Sequence, residues 1–138
     1  MADSVSLEKR SWIMARIKGK DTLPELAVRS MAHRMGFRFR LHSAGLPGKP
    51  DLVFPGLGRV VLVHGCFWHG HRCREGRRVP KSNRDYWIGK IAANKARDAR
   101  TLRKLRRAGW AVLVVWECHL KSPERVRSAL WAFLSTPV

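Results

Sequence analysis

Two uninterrupted apolar runs, residues 60–63 and Ala111–Trp116, lie either side of a long segment whose apolar residues recur with helical spacing. Runs this short fit buried strands, and a strand, helix, strand order implies a crossover that sets the two strands parallel. Between them Trp87, Ile88, Ile91, Ala92, Ala96, Ala99, Leu102 and Leu105 form the apolar stripe of one helix expected from Asn83 to Gly109, with a basic opposite face. Upstream, residues 51–54 and Arg59–His64 flank Pro55-Gly56-Leu57-Gly58 and read as a hairpin. A hairpin joined to a parallel neighbour gives a mixed sheet, so the expected class is α/β with helices flanking the sheet.

The other elements are shorter. Asp21-Thr22-Leu23-Pro24-Glu25 supplies capping residues and a first-turn proline for a helix carrying Leu26, Ala27, Met31, Ala32 and Met35, closed by Gly36. Phe37-Arg38-Phe39-Arg40-Leu41 alternates like a half-buried strand, and Ser122-Pro123-Glu124 opens a last helix through Leu130 and Phe133. Residues 7–17 support a helix only weakly, so residues 1–20 are expected to be a basic arm and residues 21–138 one domain. Trp110, Trp116 and Trp131 are assigned to the core.

Charge narrows the function. The chain has 28 Lys+Arg against 10 Asp+Glu, a formal +18, while 45% of its residues are apolar. A foldable chain with that excess is best explained by a polyanionic partner, nucleic acid before an anionic membrane surface. No apolar run approaches the roughly 20 residues of a spanning helix. The first ten residues contain neither an apolar run nor a small-residue cleavage site, so the expected location is intracellular, in the cytoplasm with the nucleoid. Three cysteines cannot all pair within one chain, which favours thiols or metal ligands.

Carboxylates are scarce, and one that faces phosphate is repulsive unless a divalent cation intervenes. Asp51, opening an apolar strand directly after Pro50, is the first candidate for a hard-metal ligand, against an ordinary Pro-Asp turn. His64 and His69 follow the facing strand and offer imidazoles for deprotonating water. Glu25 is either an outer ligand to such a metal or a first-turn partner of the helix dipole. Glu117 is either a further ligand or a surface ion-pair partner, and Asp98 either orients a catalytic histidine or breaks up a charged helix face.

Residues 65–83 lose all periodicity and collect histidine, cysteine, glycine and arginine. Such a loop demands a function or a metal. Cys66, His71, Cys73 and the distant Cys118 make a ligand set suited to tetrahedral structural zinc, with His69 and His119 as alternative imidazoles. Four protein ligands leave no open position, so this metal would brace the loop rather than cut anything. Phe67 and Trp68 on the loop, with Tyr86 and Trp87 at the start of the long helix, can stack on bases or enter a base step.

The segment Leu46-Pro47-Gly48-Lys49-Pro50-Asp51-Leu52-Val53-Phe54, followed by Val63-His64-Gly65-Cys66-Phe67-Trp68-His69-Gly70-His71-Arg72-Cys73, closely resembles the very-short-patch-repair (Vsr) mismatch endonucleases. The resemblance extends through Arg10-Ser11, Lys20-Asp21-Thr22, Pro24-Glu25, Tyr86-Trp87, Ile91, Asn94, Arg97-Asp98, Gly109-Trp110 and Val115-Trp116-Glu117-Cys118. It implies a PD-(D/E)xK restriction-endonuclease-like core with a structural zinc site. It also implies Mg²⁺-dependent nicking of double-stranded DNA, 5′ to the thymine of a T·G mismatch left by deamination of 5-methylcytosine.

Carried over residue by residue, the resemblance makes Asp51 and the backbone carbonyl of Val63 the ligands of Mg²⁺. Glu25 and His64 would hold waters on that metal, His69 would be the general base, and Asp98 would support it. Cys66, His71, Cys73 and Cys118 match the zinc set, and Phe67, Trp68 and Trp87 match rings that wedge beside the mismatch. Mismatch-repair proteins are candidate partners, and a monomer suits a single cut. Val63 stands where some members carry threonine, and residues 74–83 are more basic than the family pattern. Two other readings fit the composition: a zinc-stabilised DNA-binding module without catalysis, and a nuclease of the same fold with another DNA target.

Overall fold

The computed structural model describes residues 22–41, 45–74 and 76–136. The expected arm, residues 1–20, lies outside them, as does Asp21 of the first capping segment.

Helix α1 spans Leu23–Arg34. The Thr22 hydroxyl accepts from the Glu25 backbone N–H at 3.4 Å, capping the first turn beside Pro24. Its buried side chains are Glu25, Val28 and Ala32, whereas Leu26, expected inside, is 43% exposed. The strand expected over residues 37–41 shrinks to β1, Arg40–Leu41. The Phe37 N–H is taken by the Ala32 carbonyl at the helix end, so its backbone closes α1 instead of joining a ladder. Alternation persists in the side chains, since Phe37 and Phe39 both pack on the core.

The hairpin forms as expected, with β2 at Leu52–Phe54 and β3 at Arg59–His64 joined by a 3₁₀ turn, Pro55–Leu57. Leu52 faces Val61 and Phe54 faces Arg59. Helix α2, Arg84–Arg107, then crosses over to β4, Ala111–Trp116, which pairs parallel to β3 from Arg59↔Ala111 to His64↔Trp116. A 3₁₀ turn, Glu117–Lys121, leads to α3, Pro123–Ser135. Ser122 takes the N-cap position of α3, but its side chain makes no capping hydrogen bond. The sheet order is β1-β2-β3-β4, with β1–β2 and β2–β3 antiparallel.

Both faces of β3 are covered, which explains its unbroken apolar run. Val61 and Val63 join Val28 and Ala32 of α1 and Val126, Leu130 and Leu134 of α3 on one face. Val60 and Leu62 meet Leu105 of α2 on the other. β4, expected to be buried, buries only Val115, because it is an edge strand of the described sheet. Trp110 packs on the α2 face as expected, whereas Trp131 is 53% exposed and only edges Phe37.

The stripe of α2 is also displaced from the expected one. Ile88 is 45% exposed, and Ala92, Ala96 and Ala99 face outward. The line turned inward runs Trp87, Ile91, Asn94, Asp98, Thr101 and Leu105, a strict alternation of four- and three-residue steps. Half of that line is polar, and each polar member meets the loops at one end of the sheet.

Candidate active site and metal centre

Because β2 runs against β3 while β4 runs with it, the start of β2 and the ends of β3 and β4 share one sheet end. Asp51 stands there, and its Oδ2 accepts a hydrogen bond from the Val63 backbone N–H at 2.6 Å. The preceding turn closes with Lys49 N–H on the Leu46 carbonyl. Gly48 in this turn has φ +72, and a Cβ there would stand 2.3 Å from Thr101 Cγ2. Only glycine tolerates that approach, which seats the segment before Asp51 against α2.

Two histidines stack at the same end. The rings of His64 and His69 lie 3.9 Å apart and within 3° of parallel. His69 Nδ1 is 2.5 Å from Asp98 Oδ2, the second polar member of the α2 inward line. A carboxylate acceptor on Nδ1 fixes that nitrogen as the protonated one and leaves Nε2 with its lone pair. His64, His69 and Asp98 therefore come together, as the sequence reading of Asp98 as an orienting group requires.

His64 is buried, and burial first and the neighbouring His69 second lower its pKa from 6.5 to about 4, against the opposing pull of Asp98. It is neutral at pH 7. An unfolded chain takes up this proton near pH 6.5, whereas the folded chain refuses it until about pH 4. Stability contributed by neutral His64 is therefore lost as pH falls through that interval, by an amount on the order of 3 kcal/mol. Thermal melts from pH 7 to pH 4.5 are expected to fall more steeply for the wild type than for His64→Gln; parallel curves would contradict this.

Glu25 is buried on α1, and its Oε2 meets Arg29 Nη2 at 3.3 Å, one helical turn on. Among the described residues neither Asp51 nor Glu25 belongs to a group of three converging His, Cys, Asp or Glu side chains. A carboxylate oxygen at Asp51, with backbone carbonyls and water beside it, is a hard oxygen set of the kind that Mg²⁺ accepts readily and softer metals do not. The donor set thus fits Mg²⁺. Glu117 is exposed on the 3₁₀ turn and joins no such group.

A second cluster sits beside the first. Cys66, His71, Cys73 and Cys118 bring one ligand atom each to within 4.8 Å of one another. His71 Nδ1 lies 3.5 Å from Cys118 Sγ and 3.8 Å from Cys66 Sγ. Backbone N–H groups of Cys118 and Gly76 donate to Cys66 Sγ and Cys73 Sγ at 3.3 and 3.4 Å, fixing where both sulfurs lie. Three sulfurs and one imidazole fit zinc. The alternatives fall away, since His69 is engaged by Asp98 and the His119 ring stands edge-on to His71 outside the cluster.

The aromatic residues gather at the loop and the start of α2. Phe67, Trp68 and Trp87 are mutually edge-on, with centroids 5.2 to 5.6 Å apart. Phe67 and Trp68 are half-buried, but Trp87 is only 5% exposed and forms the floor beneath them. Asn94 Nδ2 donates to the Trp68 carbonyl at 2.9 Å, anchoring the loop backbone to α2.

The model of the family described as DNA mismatch endonuclease Vsr matches residues 2–75, more than half of the chain. The chain belongs to the Vsr family. Over 126 residues it is 40% identical to the DNA mismatch endonuclease Vsr of Escherichia coli, covering 91% of this chain and 80% of that one. A type II nicking enzyme of Xanthomonas oryzae pv. oryzae, V.XorIIP, is 54% identical over 120 residues, 87% of this chain and 88% of its own. Another, V.NmeAIP of Neisseria meningitidis, is 43% identical over 130 residues, 94% and 92% respectively. As a Vsr-family protein it is a DNA endonuclease, a hydrolase of phosphodiester bonds with a restriction-endonuclease-like fold. Among its described residues no helix is long and apolar enough to cross a membrane.

Three residues at this end of the sheet carry site contacts that the sequence pattern does not mark. Arg29 holds Glu25, Thr101 receives Gly48, and Trp116 stacks on His71. Arg29 was visible as an (i, i+4) partner of Glu25. Trp116 looked like a core residue because it ends an apolar strand.

Proposed function

We propose that this enzyme nicks one strand of double-stranded DNA 5′ to the thymine of a T·G mismatch, in a Mg²⁺-dependent reaction that initiates very short patch repair. The observation that carries the proposal is the His69–Asp98 pair stacked on His64, at the sheet end where Asp51 is also fixed. A charge-neutralising base beside a metal-binding carboxylate is the equipment of phosphodiester hydrolysis, and a simple DNA-binding module has no use for it.

Asp51 and the Val63 carbonyl would hold Mg²⁺, with Glu25 and His64 ordering water around them. When bound, the cation neutralises charge that develops on the phosphate during displacement. His69 accepts the proton of the attacking water at Nε2, while Asp98 accepts the Nδ1 hydrogen bond and stabilises the imidazolium that forms. His64, neutral at pH 7, adds no second positive charge against it. Phe67 and Trp68, supported by Trp87, enter the base step at the wobble pair, where opening the stack costs least. Zinc on Cys66, His71, Cys73 and Cys118 braces the loop that carries these groups.

The exposed basic face of α2 docks on phosphates, as does the arm assigned to residues 1–20, with residues 21–138 forming the nuclease domain. One cut in one strand needs one site, so the enzyme acts as a monomer on nucleoid DNA in the cytoplasm, with mismatch-repair proteins as its partners.

Asp98→Asn is expected to lower the single-turnover nicking rate by about 10²-fold or more, because the wrong His69 tautomer becomes accessible. An unchanged rate would remove Asp98 from the mechanism. The substrate assignment is tested with a panel of duplexes carrying each mismatch or none, in 5-methylcytosine-type contexts. Cutting confined to T·G is the expected result. Equal cutting of matched duplexes at a fixed sequence identifies a nicking enzyme with another target, and tight binding with no cut on any duplex identifies a silent module.

A further inference from the structure

We propose that Trp116 is a positioning residue that ties the zinc cluster to the catalytic histidines. The indole stacks on His71 with centroids 4.1 Å apart and planes 19° apart, and meets His64 edge-on at 5.0 Å and His69 edge-on at 6.2 Å. It is the last residue of β4, paired in register with His64, and Cys118 follows two residues later. One short stretch thus supplies both a thiol to the zinc set and a ring that touches three imidazoles.

The loop between Cys66 and His71 is also held by α2. Gly70 has φ +60, and a Cβ there would stand 2.7 Å from Ile91 Cγ2 and from Lys95 Cδ, so the backbone between His69 and His71 lies directly on α2. His71 N–H reaches back to the Cys66 carbonyl at 3.0 Å. With α2 against Gly70 and the indole against His71, the backbone that carries His69 is held at two points. This holds the His69 ring in line with Asp98. Aromatic stacking survives substitution by another ring and fails with an aliphatic side chain.

The inference rests on the nuclease reading, so its test has one arm that does not need cutting. Zinc-loaded wild type, Trp116→Leu and Trp116→Phe are compared for zinc content, DNA affinity, single-turnover nicking of a T·G duplex, and the imidazole NMR signals of His69 and His71. Trp116→Leu is expected to keep its zinc and its DNA affinity, lose nicking by roughly 10²-fold through misplacement of the base, and lose the ring-nitrogen signature of the His69 Nδ1–H hydrogen bond to Asp98. Trp116→Phe restores most of the rate.

Wild-type nicking by Trp116→Leu overturns the inference. So does a rate that falls only in step with lost zinc and gains nothing from phenylalanine, since Trp116 is then merely structural. If the wild type cuts no duplex, the nuclease reading fails by itself. The NMR arm then decides: ring-nitrogen signals showing His69 still in its wild-type tautomer with the Asp98 hydrogen bond intact overturn the positioning role, and loss of that signature supports it.

Discussion

Asp51→Asn is expected to abolish strand cutting while leaving DNA binding as tight as in the wild type or tighter. Asparagine keeps an oxygen that can accept the Val63 N–H, so the hydrogen bond that fixes this side chain at the sheet end survives. What disappears is the anionic charge that holds a hard cation. Losing several kcal/mol of transition-state charge stabilisation lowers the rate by about 10³-fold or more. Without metal, removing a carboxylate from a basic surface that meets phosphate cannot weaken docking electrostatically. Single-turnover nicking with excess Mg²⁺ and equilibrium binding in its absence, measured on the same duplex, check both halves. A variant that still nicks at the wild-type rate would exclude Asp51 as the metal carboxylate.

Zinc removal is expected to cost both stability and cutting. The Cys/His cluster links the loop after β3 to the turn after β4, and His69 lies between its members Cys66 and His71. Burial pushes the metal-free Cys66 thiol up to about 12, so without the cation this site holds a proton rather than a thiolate. Small domains that depend wholly on zinc draw about 10–16 kcal/mol from it. Here the two apolar cores on either face of the sheet persist without the loop, so a smaller loss of several kcal/mol is expected, enough to lower Tm by roughly 10 °C or more.

Cys118→Ser, or treatment with a strong chelator, should keep most of the far-ultraviolet circular dichroism and lose nicking. Zinc, but not Mg²⁺ alone, should restore the chelated protein. A zinc-free protein that melts and nicks like the wild type would show that the cluster braces nothing.

Sequence reasoning went furthest where one residue type has few alternatives. The hairpin at Pro55-Gly56-Leu57-Gly58, the parallel placement of β4 and the membership of the four-residue sulfur and imidazole cluster were all legible, because turns, crossovers and soft ligands each demand particular residues. The rest depended on which neighbour wins a competition. Phe37 reads as a strand residue, yet its N–H closes α1. Ala92, Ala96 and Ala99 match an apolar period, yet Asn94, Asp98 and Thr101 face inward, because two hydrogen bonds and a glycine contact outweigh three methyl groups. Trp116 reads as a core residue, since nothing in a linear pattern shows that an edge-strand terminus will face three imidazoles.

His69, held by Asp98, is proposed as the base for a single cut beside a mismatched thymine. A duplex labelled on both strands, with one T·G pair in a 5-methylcytosine-type context, tests it most directly when wild type and His69→Ala are compared under single-turnover conditions with Mg²⁺. One wild-type product, cut 5′ to the thymine, is expected, with a His69→Ala rate lower by about 10²- to 10⁴-fold and unchanged DNA affinity. Cutting by His69→Ala at the wild-type rate, or wild-type cutting of both strands irrespective of the mismatch, would contradict it.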